Sequence, residues 1–143
     1  MKDTLIDFLR TGKLSFLELG VDISQVHMKL NDLESKLVRR TKKIKSYNYD
    51  DLSIHFENNK LDVISLFCKK GVIYLPQAVI EEGKFEIDEV DYNEFVNLLS
   101  KEGIDYELHP WSNTMFVLRL GTGVHVYFDS EKLYSIEFYG RKT

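Results

Sequence analysis

The amino-acid sequence predicts an α+β fold in which a few short helices accompany one or more antiparallel sheets. Residues 51–68, DLSIHFENNKLDVISLFC, alternate apolar and polar side chains on both sides of a two-asparagine turn. This pattern is typical of a β-hairpin with one buried face. Seventy-two residues later, GVHVYFDSEKLYSIEFYG at 123–140 repeats the apolar positions, the acidic residue before the turn and the lysine after it.

The repeated hairpin favours a duplicated architecture. A helix signal precedes each hairpin, so we expect a single domain over 1–143 containing two related helix-then-hairpin units, approximately 1–80 and 88–143. The alternative is that two independent hairpins converged on a common pattern, because alternation around a polar turn recurs in many proteins. The pattern leaves open whether the two hairpins share one sheet.

Three helices are predicted, over 3–10, 23–30 and 91–103. The second and third begin after Asp22 and Asp91, residues that commonly cap a helix. Glycines follow the first and third, at Gly12 and Gly103, where a left-handed residue often ends a helix.

The remaining strands are predicted from shorter patterns. The segment before the first hairpin mixes aromatic and β-branched residues with lysine and arginine, which suits a partly exposed strand or an ordered loop. GVIYLPQAVI at 71–80 predicts a third strand in the first unit. Two further strands precede the second hairpin, and the GTG sequence at 121–123 predicts a tight turn between strands.

Composition is that of an ordinary folded protein, with 43% hydrophobic and 29% charged residues. The single cysteine, Cys68, lies in an apolar strand pattern and is expected to be a buried free thiol, as is usual in a reducing cytoplasm. The first residues lack the pattern of a secretory signal, and no apolar run is long enough to span a bilayer. We therefore expect a cytoplasmic protein without membrane contact.

No motif with recognisable chemistry is present in the sequence. The four histidines lack the spacing of a metal site, and no serine lies in a Gly-x-Ser-x-Gly elbow. Clustered glycines of the kind that cradle a phosphate before a helix are also missing. We expect no metal, no cofactor and no catalysis, and an enzyme with an unrecognised carboxylate or histidine site is the alternative.

One basic segment raises the possibility of nucleic-acid binding. Residues 36–45 carry six basic side chains and no acidic one, and Tyr47 and Tyr49 follow closely enough to stack on bases. However, the rest of the chain is acidic, and the whole carries a net charge of −4. Repulsion of a polyanion makes nucleic acid the weaker alternative.

Aromatic and acidic residues suggest a protein partner instead. Phe, Tyr and Trp make up 13% of the chain. Outward-facing members beside the strands could anchor an interface, Trp111 above all, although a lone tryptophan is also a common core residue. The acidic run at 81–94 reads either as a solvated connection or as a surface that attracts a basic partner.

A family resemblance supports the binding interpretation. FLELGVDISQVHMKL, a basic linker and YNYDDLSIHFENNKLDVISLF resemble small bacterial immunity proteins that accompany polymorphic or contact-dependent toxins. The resemblance is carried by Leu19, Gly20, Ser24, Tyr49, Asp51, Leu52, Phe56, Asn58, Leu61 and Ile64. A looser similarity exists to the repeated helix-plus-sheet units of β-lactamase-inhibitor-like proteins. Residues 30–33, Leu-Asn-Asp-Leu, depart from the leucine-glycine-x-proline that often ends the first helix in such proteins.

The resemblance implies a protein that binds and blocks one cognate toxin domain without chemistry of its own. An acidic surface suits a basic effector such as a nuclease domain. The hypothesis assigns partner binding to four carboxylates and two aromatic anchors: Glu57, Glu86, Asp88, Asp129, Trp111 and Tyr127. A regulatory module in a larger complex would differ only in the identity of the partner, and the oligomeric state is left open.

Overall fold

The computed structural model describes residues 3–140 and confirms an α+β fold dominated by antiparallel strands. The helices are α1 (Asp3–Thr11), α2 (Ile23–Lys29) and α3 (Tyr92–Lys101), with a short 3-10 helix at Leu33–Lys36. The strands are β1 (Leu37–Arg40), β2 (Ile44–Tyr49), β3 (Leu52–Glu57), β4 (Lys60–Phe67), β5 (Val72–Tyr74), β6 (Lys84–Glu86), β7 (Tyr106–Pro110), β8 (Met115–Leu120), β9 (Val124–Asp129) and β10 (Lys132–Phe138).

Eight of these strands form one sheet, in the order β1-β2-β3-β4-β10-β9-β8-β7. The two repeated hairpins, β3-β4 and β9-β10, therefore share a sheet and meet at its centre, where β4 pairs antiparallel with β10. β5 and β6 form a separate two-stranded sheet. The strand predicted at 71–80 is observed only as β5, Val72–Tyr74, and is shorter than expected. It ends before Pro76, which cannot donate a ladder hydrogen bond.

The hydrophobic core lies on one face of the large sheet. Alternate residues of the four central strands point into it, including Ile54, Ile64, Val126 and Ile136, all fully buried. They belong to one cluster with the buried side chains of the helices and of β5-β6. Because side chains alternate along a strand, the other residues of these strands face away from the helices.

Gly12 shows how closely α1 packs on this sheet. The residue ends α1 with a φ of +76°, and a Cβ atom built on it would lie 2.2 Å from the ring of Phe138. Only glycine combines that backbone conformation with so close an approach. Phe138 also packs edge-on against Phe8 of α1.

The two hairpins match in their turns and in their irregularities. Each turn has two residues with positive φ, Asn58 and Asn59 in the first and Ser130 and Glu131 in the second, as a type I′ turn requires. Each hairpin also has a register shift at the equivalent place after its turn. Residue 62 in β4 and residue 134 in β10 have no opposite residue in the paired strand. A shared turn type and bulge favour duplication over convergence on alternation alone.

Each hairpin also holds its preceding helix in the same way. Asp22 precedes α2 and forms an ion pair with Lys60 at 3.2 Å, and Asp91 precedes α3 and forms one with Lys132. In both units, the amide of the first helical residue donates to the carbonyl of the second turn residue, over 2.8 Å and 2.9 Å. Both helices begin directly after the predicted aspartates. Asp22 accepts a cap hydrogen bond from the Ser24 amide, whereas within residues 3–140 Asp91 makes no side-chain cap hydrogen bond.

The described residues, 3–140, include no helix that is long and apolar enough to cross a membrane. Cys68 is buried, and burial raises the pKa of its thiol. This placement agrees with the expected buried free thiol.

The turn geometry predicts that Glu131→Gly stabilises the protein. Glutamate at φ +67° is strained by its Cβ atom, whereas glycine is not. After the entropy that glycine adds to the unfolded chain, we expect a gain of about 0.5–1 kcal/mol in the free energy of unfolding. Urea unfolding measures it. Asn59→Gly should gain less, because asparagine tolerates positive φ, and Glu131→Ala should gain nothing. Equal behaviour of the alanine and glycine variants would contradict this explanation.

Candidate functional site on the open sheet face

The face of the eight-stranded sheet that points away from the helices is called the open face here. It carries the outward residues of β2, β3, β4, β10, β9, β8 and β7. Most of these side chains are exposed or half-buried, unlike their inward neighbours. Among the described residues, the helices contribute their buried side chains to the opposite face.

A continuous row of polar residues crosses the open face. The strand registers place seven residues side by side, each opposite the next: Asn48, Ser53, Ser65, Glu137, His125, Arg119 and Glu107. In the first unit the members of this polar row are small and neutral. In the second unit they are large and ionisable, so the chemistry of the face is concentrated there.

Glu137 lies at the centre of this row with both carboxylate oxygens engaged. Ser135 Oγ donates to Oε2 at 3.1 Å, and Ser65 Oγ donates to Oε1 at 3.4 Å. Both serines are buried, Ser135 completely, although they belong to the open face. They lie beneath Glu137 and the larger side chains around them.

Aromatic residues lie beside Glu137 and the two buried serines. Phe67 lies directly opposite Ser135 on β4, and Tyr127 lies opposite it on β9. The hydroxyl groups of Tyr127 and Tyr139 are 3.1 Å apart, and the exposed indole of Trp111 packs on Tyr127 with ring centroids 5.6 Å apart. These residues, with Tyr134 packed edge-on against Phe67, are called the aromatic patch.

The electrostatics of the patch follow from burial. Desolvation raises the pKa of the Tyr127 hydroxyl, as do its hydrogen bond with Tyr139 and the nearby Glu137 carboxylate. Tyr127 is therefore a neutral hydrogen-bonding group at physiological pH.

His125 stacks on the ring of Tyr139, with centroids 4.7 Å apart. Desolvation lowers the pKa of this imidazole, and the positive charge of Arg119 lowers it further. The imidazole is therefore neutral over more of the pH range than an exposed histidine.

A large open groove of about 1380 Å³ continues from the polar row past the end of the sheet. Glu107, Arg119, His125 and Tyr139 line its part on the open face. Ser100 of α3, residues 103–106, the β8-β9 turn and Gly140 line the rest.

Carboxylates outnumber basic side chains on the open face. Its carboxylates are Glu57, Asp62, Glu107, Asp129 and Glu137. Its basic residues are Arg119, Arg39 at the β1 edge, and Lys60 and Lys132, which lie opposite Glu57 and Asp129 in the strand registers and pair with Asp22 and Asp91. Two carboxylates pair with histidines of the same face, His55 with Asp62 at 2.5 Å and His109 with Glu107 at 3.3 Å.

The structure brings only some of the predicted partner-binding residues together. Trp111, Tyr127 and Asp129 lie on the second unit's part of the open face, and Trp111 is 64% exposed, so it is not a core residue. Glu57 lies on the same face beside the other turn. The β4-β10 register separates the two turns by roughly ten residues of strand, about 30 Å.

The other two predicted residues lie off the open face. Glu86 is on the two-stranded sheet, where it pairs with Lys84 at 3.1 Å, and Asp88 is in the connection from that sheet to α3. They do not join the acidic residues of the open face in one patch.

Sequence reasoning missed Glu137, Ser65 and Ser135. Each is an ordinary strand residue with no motif around it. A signal was nevertheless present, because the 72-residue spacing makes positions 65 and 137 equivalent. Two equivalent residues that pair across an antiparallel joint mark its pseudo-two-fold axis, as Ser65 and Glu137 do.

The basic segment forms the β1-β2 edge of the sheet, and most of its side chains are exposed. The expectation that Tyr47 and Tyr49 stack on bases is wrong, because both are buried on the core face. Tyr49 instead donates its hydroxyl hydrogen to Asp32 at 2.8 Å. The inward positions of β2 put both rings under the helices.

Among residues 3–140, no three His, Cys, Asp or Glu side chains converge in a group that could hold a metal ion. The hydroxyls of Ser65 and Ser135 both donate to a carboxylate.

Comparison with protein-family models, curated proteins and solved structures finds no match for this chain.

The environment of His125 predicts a pH dependence of stability. Its pKa in the folded protein lies below the usual value near 6.5, so the unfolded chain binds the proton first as the pH falls. The stability that the neutral imidazole contributes is present above about pH 6.5 and lost as the pH falls through the folded-state pKa. Urea unfolding at pH 7.5 and 5.5 should show a smaller loss for His125→Asn than for the unaltered protein. His27→Asn, at an exposed position of α2, is the control, and an equal loss in all three proteins would refute the assignment.

Proposed function

We propose that this chain is an immunity protein that binds a cognate toxin domain through its open sheet face and blocks it without catalysis. The observation that carries the proposal is a broad sheet face left uncovered by the described helices and bearing an exposed aromatic patch. Single exposed apolar residues are common on proteins, but Trp111, Tyr127, Tyr134 and Phe67 contact one another in pairs.

The residue types suit a tight protein interface. Tryptophan and tyrosine dominate the residues that contribute most binding energy, and rigid rings lose little conformational entropy on binding. Trp111 is already packed on Tyr127, so part of its ordering occurs before the partner arrives.

The charge supports a basic partner. Five carboxylates face outward against two arginines and two lysines, and Lys60 and Lys132 already pair with Asp22 and Asp91. The face therefore attracts a cationic surface and speeds its encounter at low salt. A nuclease domain that binds a polyanion has such a surface. The cytoplasm, where a nuclease would act, is the location that this function requires.

The function is tested with the product of the gene immediately upstream. Co-expression with tagged protein should yield a complex that survives purification, and the upstream product should be toxic alone and harmless in its presence. Failure of both binding and rescue would overturn the proposal.

The interface predicts a specific effect of Trp111→Ala. Loss of an exposed anchor should weaken toxin binding by about 2 kcal/mol, mostly through faster dissociation, with little change in protein stability. Surface plasmon resonance measures both rates. Tyr74→Ala is the matched control, since Tyr74 is 51% exposed but lies on β5, outside the open face. Equal affinities of the two variants would place the interface elsewhere.

A double variant of the basic edge separates this function from nucleic-acid binding. Neutralising Lys42 and Lys43, both exposed in the β1-β2 turn, removes positive charge from the basic edge. Toxin binding should be unchanged or faster, whereas binding to single-stranded RNA would weaken. RNA binding that disappears in this double variant would favour the nucleic-acid alternative.

A further inference from the structure

We propose that Glu137 and the aromatic side chains beside it form a recognition site, called the arginine pocket here, for one arginine side chain of the partner. The inference rests on the proposed function for the identity of the partner. Its chemistry depends only on this chain and is tested separately below.

The carboxylate is held in one position and remains accessible. Ser65 and Ser135 donate to different oxygens of Glu137, so both serines restrain it from below. The Glu137 side chain itself is half-buried. Each oxygen keeps a second lone pair for another donor, which is the arrangement that a forked guanidinium engages.

No described basic side chain neutralises this carboxylate. Its neighbour across β9 is His125, whose pKa is lowered and whose ring stacks on Tyr139. Arg119 is one strand further away, and the structure shows no ion pair between it and Glu137 within residues 3–140. The groups around Glu137 are therefore largely neutral, which favours a cation from outside as its partner.

The aromatic side chains beside Glu137 suit a guanidinium better than a compact ammonium. Phe67 and Tyr127 flank the buried Ser135 from the two neighbouring strands, and Tyr139 follows Glu137 two residues later on the same side of the chain. Aromatic faces attract a cation, and the planar, weakly hydrated guanidinium stacks on them readily. Hydroxyls of Tyr127 and Tyr139 add polar atoms to this site.

The pseudo-two-fold axis explains why the pocket is single. The position equivalent to Glu137 is Ser65, which lies opposite it across the joint. The equivalents of Tyr127 and His125 are His55 and Ser53. The first unit thus provides Ser65 and Phe67, while the second provides the Glu137 carboxylate and the other aromatic side chains.

The pocket is tested first with free ligands and the intact protein. Arginine ethyl ester, titrated in NMR experiments, should shift the amide resonances of Ser65, Ser135 and Glu137 and quench Trp111 fluorescence. Citrulline ethyl ester, which has nearly the same shape without the guanidinium charge, should not.

Three variants identify the responsible charge. Glu137→Gln keeps the shape and should weaken the arginine ester at least roughly tenfold, since a charged hydrogen-bond acceptor is lost. Glu107→Gln removes another carboxylate of the polar row and should have little effect. Arg119→Gln removes a repelling cation and should leave affinity equal or higher.

The complex then distinguishes the two proposals. Unaltered protein that binds and neutralises the upstream product, with Glu137→Gln about tenfold weaker or more, supports both. Equal binding by Glu137→Gln overturns the arginine pocket and leaves the immunity function standing. Binding of the arginine ester without any binding of the upstream product overturns the immunity function alone. Equal responses to the arginine and citrulline esters would overturn the pocket regardless of the partner.

Discussion

The antiparallel pairing of β4 with β10 is the constraint on which the rest of the structure depends. It joins two hairpins of the same design into one sheet, with Ser65 and Glu137 opposite each other at the joint. Because equivalent residues pair there, the two units are related by a local two-fold axis. Every strand outward from the joint then has a counterpart, up to the edge strands β1 and β7.

This arrangement makes the core common to both units. Ile64 and Ile136 are fully buried beside the joint, and each belongs to the cluster that contains the helices of both units. Without the second unit, β4 would be an edge strand with unpaired backbone groups. Its pairing with β10 satisfies those groups. The closely spaced helix-hairpin contacts of Asp22 with Lys60 and Asp91 with Lys132 set each helix over its own hairpin.

The same symmetry separates structural positions from those free to diverge. Inward residues keep their class between the units, as Phe56 and Phe128 do, because both must fill the same core volume. Outward residues do not have to fill the core, so their size and charge can differ between the units. Ser53 corresponds to His125 and Ser65 to Glu137, so the two halves of the open face differ in size and charge. Apart from Phe67, the aromatic patch lies on the second half together with the Glu137 carboxylate, whereas the strand order is symmetric.

Much of the local structure was determined by the sequence itself. Alternation placed the four hairpin strands, and Asp22, Asp91 and Gly12 marked helix ends, because caps and left-handed residues depend on immediate neighbours. Exposure at Trp111 and burial at Tyr47 and Tyr49 were decided by strand direction and by the helices above, which short-range patterns do not report.

Only the tertiary structure determined which side chains meet. The pairing of β4 with β10 is a contact between residues 72 positions apart, chosen by the fit of two complete units rather than by any local preference. Glu137, Ser65 and Ser135 converge through that pairing, and Glu86 and Asp88 are kept away by the separate path of β5 and β6. Sequence periodicity specifies the face on which a residue lies, whereas strand order and register specify its neighbours on that face.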